Sequence, residues 1–140
     1  MRVVLDTNIL VAATRSSRGA AYAIVSQLPS PKFEIALTIP LYVEYQDALT
    51  RPEIMKEQYT VDEAIQFTRY LSRIAHKQKI YFLWRPWLRD PKDDMVLEAA
   101  LASKSRYIVT HNLKDFMNKG IEENFSIYPV DPKQFFDIIN

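Results

Sequence analysis

The stretch V3-V-L-D-T-N-I-L10 decides the fold. Three apolar residues run into Asp6, and Thr7 and Asn8 follow before the chain turns apolar again. A short hydrophobic run bounded by polar residues reads as a buried strand, here "RVVL". Such a strand ending in a carboxylate has two readings. Asp6 caps the helix that follows, since Asp is a preferred N-cap, or its charge holds something at the strand's end.

The same pattern recurs along the chain. "FEIALTI", "KIYFLW", "RYIVT" and "FSIYPV" read as further strands. Helical material lies between them: "NILVAATRSSRGAAYAIVSQL", broken near Ser16–Gly19; the segment from Ile39-Pro40 through "LYVEYQDALT"; "TVDEAIQFTRYLSRIAHKQ"; "KDDMVLEAALASKS"; and a closing "DPKQFFDII". Strands alternating with helices specify an α/β domain with a mostly parallel central sheet. Ligands of such sheets bind beyond the carboxyl ends of the strands, where strand order switches direction. Asp6 ends the first strand there. Thr110 ends the fourth, with His111, Asn112 and Asp115 just after it.

Composition narrows the chemistry. The 140 residues fit one domain, 1–140, and 48% hydrophobic content supplies a core. There is no cysteine, so thiolate chemistry and Cys-type zinc sites are excluded. His76 and His111 have no HxxH or HExxH spacing. The two glycines, Gly19 and Gly120, form no phosphate-cradling loop. A net charge of +1 argues against a broadly basic nucleic-acid coat but leaves room for a local grip. No apolar run is long enough to span a membrane, and no signal-peptide pattern precedes Asp6, so a cytoplasmic location is expected.

The remaining candidates are acids. Glu44 borders the apolar stripe Leu41, Tyr45, Ala48 and Leu49 of its helix, whereas Asp47 and Glu53 look like surface acids. Glu44 faces the interior or bends to water from its edge. Asp90 before Pro91 reads as an N-cap, with Asp93 as its capping-box partner. Asp94 shares a face with Leu97 and Leu101, and Asp93 falls on the same broad side. An acid directed inward is costly unless a cation or hydrogen bonds compensate it. Asn112 and Asp115 each serve either as a cap of a short helix or as part of a site. Tyr81, Phe82, Trp84 and Trp87 read as core or subunit interface.

Taken together these segments resemble the PIN-domain family, in particular the VapC-like ribonuclease toxins of prokaryotic toxin–antitoxin modules. The match lies in "VVLDTNIL", "LYVEYQDAL" and "DPKDDMVLEAALASKSRYIVTHNLKDF". The resemblance implies a PIN-like three-layer domain, its mostly parallel central sheet flanked by helices. It implies metal-dependent hydrolysis of RNA, with Asp6, Glu44 and Asp94 as catalytic metal ligands and Asn112 or Asp115 in a fourth position. Many relatives carry Asp where this chain has Asn112. Homodimerisation and a cognate antitoxin are further implications. Oxygen-only ligands favour Mg²⁺ or Mn²⁺ over zinc. Thr7, Asn8 and Thr110 would orient waters and carboxylates.

Two other readings remain open. A haloacid-dehalogenase-type phosphatase also opens with a strand ending in Asp, but needs a second Asp where this chain has Asn8. A PIN-like scaffold that binds RNA or protein without cutting would keep the fold and lose the chemistry.

Overall fold

Among the described residues, five strands form one parallel sheet in the order β3-β2-β1-β4-β5. The computed structural model describes residues 1–80, 91–117, 122–123 and 125–140. In chain order the elements are β1 (Arg2–Leu5), α1 (Thr7–Arg15), α2 (Ala20–Val25), β2 (Glu34–Leu37), α3 (Ile39–Leu49), α4 (Pro52–Met55), α5 (Val61–Ile74), β3 (His76–Lys77), α6 (Pro91–Ser103), β4 (Tyr107–Val109), α7 (Leu113–Phe116), β5 (Tyr128–Val130) and α8 (Pro132–Ile139).

The first strand occupies the middle of the sheet. Val3, Val4 and Leu5 have no solvent exposure, as expected of a parallel strand covered on both faces. From β1 the chain builds outward through β2 to β3, then returns to lay β4 on the other side of β1. Strand order therefore switches between β1 and β4, and the crevice at their carboxyl ends is the fold's natural site.

Helix starts follow local chemistry. The Thr38 hydroxyl accepts from the Leu41 N–H at the head of α3. Thr60 and Glu63 form a reciprocal capping box on α5, and Asp131 and Gln134 form one on α8. On α3 the buried residues are Leu41, Tyr45, Ala48 and Leu49, the stripe that the sequence spacing marks out. Helix α6 differs: residues 96 to 100 are all buried, because it packs against β1, β2, β4 and α3 together. A helix enclosed on several sides shows little amphipathic contrast.

The third strand departs from expectation. It pairs His76 with Ala36 and Lys77 with Leu37, ahead of the apolar run "KIYFLW". The end of α5 at Ile74 leads directly into extended Ala75, so the chain reaches the sheet edge at once. Lys79 and Ile80 are in no strand, and 81–84 lie outside the described residues. Strands four and five fall within their expected segments, shortened to 107–109 and 128–130. The cap expected of Asp90 lies outside the described residues, as do Tyr81, Phe82, Trp84 and Trp87. Among the described residues no helix is long and apolar enough to cross a membrane.

Candidate active site

Register brings the first two groups together. Leu5 pairs with Val109 across β1 and β4, so the next residues on each strand, Asp6 and Thr110, emerge side by side. The Asp6 N–H continues the ladder to the Val109 carbonyl at 2.9 Å, and the Thr110 N–H reaches the Val130 carbonyl at 2.9 Å. Beyond the ladder the Thr110 hydroxyl donates to Asp6 Oδ2 at 2.7 Å and accepts from the Asn112 N–H at 2.9 Å. Both Asp6 and Thr110 are buried.

Asp6 occupies the N-cap position of α1 with extended backbone, but its side chain makes no capping hydrogen bond. Its carboxylate is turned to Thr110 instead. Burial pushes the Asp6 carboxyl above its ordinary range. The Thr110 hydroxyl and the Thr7 backbone N–H oppose that rise, the Asp115 carboxylate adds to it, and His111 offsets it slightly. Asp115 thus lies within electrostatic reach of Asp6. Beneath them, the buried Tyr45 hydroxyl donates to the Leu5 carbonyl, one residue before Asp6. Burial first, and the Asp6 carboxylate second, hold the Tyr45 phenol well above its ordinary pKa.

The second group comes from α3 and α6. Helix α6 ends at Ser103 and β4 begins at Tyr107, so α6 runs back along the sheet and its first turn lies at the carboxyl end of the strands. Asp93 and Asp94 are in that turn and are buried, Asp94 only 3% exposed. Glu98, one turn further on, is 2% exposed. Glu44 Oε1 stands 3.8 Å from the Lys92 ammonium and 3.8 Å from the Arg51 guanidinium. The Lys92 contact fixes the start of α6 beside Glu44. Arg51 is held more closely by exposed Asp47, at 2.8 Å.

The turn after β4 forms the third part. The Asn8 side-chain carbonyl accepts from the His111 N–H at 3.3 Å, tying this turn to α1. Asn112 takes the N-cap position of α7 without a side-chain cap bond, and Asp115 sits inside that helix. Both are exposed. They line an open cleft of about 640 Å³ together with Ala20, His111, Lys114, Asp131 and Lys133.

Sequence reasoning did not single out Glu98, Tyr45 or the two cations at Glu44. Glu98 had a signal, its i+4 spacing from Asp94. The cations had none, because the approach of α3 to α6 is a tertiary contact.

A divalent cation fits this donor chemistry. The acids offer only oxygen, and an interior that raises the Asp6 pKa disfavours its charged form until a cation compensates it. Among the described residues no three Asp, Glu, His or Cys side chains are grouped as they stand to hold a metal ion.

A family model described as "PIN domain" matches residues 2–114, and the chain belongs to the PIN-domain family. It is similar in fold to a chain in the crystal structure of VapBC2 from Rickettsia felis bound to a DNA fragment from their promoter. That likeness has a TM-score of 0.59 and 16% sequence identity, over 94% of this chain and 98% of the other. No curated protein matches the sequence.

Proposed function

We propose that the chain is a single-domain, divalent-metal-dependent endoribonuclease and the toxin partner of a cognate antitoxin. The observation that carries the reading is Asp6, buried at the β1–β4 switch point and held by Thr110. Family membership and the buried acids of α6 support it. A chain of the same fold is part of the VapBC2 structure bound to a promoter DNA fragment. A homodimer and a cytoplasmic location belong to the same reading.

Asp6, Glu44 and Asp94 would hold Mg²⁺ or Mn²⁺, with Asn112 or Asp115 in a fourth position. The ion's contribution is to stabilise negative charge developing on a phosphodiester undergoing hydrolysis. The chain supplies the rest. Thr110 fixes one Asp6 oxygen. Asn8 holds the turn that presents Asn112. Tyr45 anchors the end of the strand that delivers Asp6.

The test is cleavage of single-stranded RNA by the purified chain in Mg²⁺ or Mn²⁺, against chelator. Cleavage that requires the ion and disappears in Asp6→Asn is expected. Absence of cleavage in either metal, or equal cleavage by Asp6→Asn, overturns the reading, and metal-independent RNA binding without cleavage favours the silent scaffold.

A further inference from the structure

The cleft beside the acids carries charge that metal binding does not use. Lys114 enters it from α7 and Lys133 from the start of α8, and both side chains are exposed. Neither ammonium forms an ion pair with any described acid. Of the acids lining the cleft, Asp131 caps α8, its Oδ1 accepting from the Gln134 N–H at 2.7 Å. His111, in the turn before α7, adds a third potential donor to the lining.

An RNA strand with one phosphodiester at Asp6 must place its neighbouring phosphates on adjoining surface. The acids themselves repel those phosphates. The cleft adjoins Asp6, since the N–H of its lining residue Asn112 bonds to the Thr110 hydroxyl that holds Asp6 Oδ2. It is open, and its walls present two uncommitted ammoniums. We propose that Lys114 and Lys133, both lining this cleft, together hold a non-scissile backbone phosphate of the substrate strand. The proposal rests on the nuclease reading and adds the residues that hold the strand. Lys133 lies beyond residues 2–114, so one of the two lysines lies outside the stretch matched to the family. The clamp therefore sets how this chain grips its strand, separately from the acids.

The experiment is fluorescence anisotropy of a labelled single-stranded RNA with the full chain in chelator, where the strand stays intact. Lys114→Gln and Lys133→Gln are tested singly and together. Lys32→Gln is the control, because Lys32 is an exposed lysine ahead of β2, at the opposite end of the sheet. The double variant should bind about tenfold more weakly near 0.1 M salt. Its log Kd against log salt slope should fall by about 0.7, the loss of one neutralised single-strand phosphate. Lys114→Arg with Lys133→Arg should restore both values. Unchanged binding in the double glutamine variant, an equal loss in Lys32→Gln, or no RNA binding by the wild type overturns the clamp. The two readings fail differently. Metal-dependent cleavage with lysine-independent binding removes the clamp alone, while lysine-dependent binding without cleavage in any divalent ion removes the nuclease reading and keeps the clamp.

Discussion

The Thr110 hydroxyl donates to Asp6 Oδ2 over 2.7 Å, joining residues 104 positions apart in sequence. The bond extends the β1–β4 register beyond the last backbone pair, so the strand pairing itself sets where the carboxylate points. Thr110→Val removes the donor and leaves a buried carboxylate oxygen unmet. Hydrogen bonds to charged groups contribute about 1.5–3 kcal/mol, and a loss of that order is expected in denaturant melts at neutral pH. Because the Thr110 bond opposes the rise in the Asp6 pKa, the acid limb of the cleavage profile should move to higher pH. Thr110→Ser should restore both.

Asp6 makes the metal-free fold sensitive to pH in a defined direction. Its folded pKa is raised above the ordinary 3.8, so the folded state binds the proton more tightly than the unfolded one. That contribution is fully present below 3.8 and is lost as pH rises through the folded value. In chelator, Asp6→Asn should match the wild type near pH 4 and melt above it at pH 7. Saturating Mn²⁺ should reverse the order, since an ion at a hundred times its Kd stabilises only the chain that binds it, by about 2.7 kcal/mol. Thermal melts at the two pH values check both halves. A wild type that melts above Asp6→Asn in chelator at pH 7 contradicts the first.

Glu44 and Asp47 share Arg51 but face different surroundings. Glu44 is 11% exposed at its side chain and Asp47 is 62% exposed. Glu44→Gln should reduce cleavage on the order of 10²-fold or more, as expected for loss of a group acting at the reacting centre. Asp47→Asn should leave cleavage unchanged and alter stability by less than about 1 kcal/mol, the usual ceiling for an exposed ion pair. Initial rates under matched metal distinguish the two.

The fourth position is open to a paired test. Asn112→Asp adds a carboxylate on the cleft and should tighten Mn²⁺ binding measured by calorimetry at fixed pH. Asp115→Asn removes a charge that raises the Asp6 pKa, so the acid limb should move to lower pH. If Asp115 is also a ligand, metal affinity falls in the same variant. If affinity holds while the limb moves, Asp115 acts through space only.

The sequence displayed whatever depended on local pattern. β1 was legible because Val3, Val4 and Leu5 stand between polar neighbours, and the buried stripe of α3 because its residues recur at helical spacing. Asp94 was legible through Leu97 for the same reason, and both are buried. β3 was not, because a two-residue edge strand of His76 and Lys77 carries no hydrophobic signature, while the apolar run just after it does. Nor was the setting of Glu44 between Lys92 and Arg51. The Lys92 contact depends on how α3 packs against α6, and no spacing within either helix encodes it.

The central place of β1 has a consequence for synthesis. β1 stays open along one edge until residues 107–109 arrive to pair with it. Until then Asp6 has no Thr110, α6 has no completed sheet to lie on, and the turn bearing Asn112 does not exist. A nascent chain shorter than about that length therefore lacks the groups that surround Asp6, and long-range pairing of this kind is slow to form. Any activity assembled around Asp6 is withheld while the chain is still being made, and its onset is timed by the closing of one strand pair.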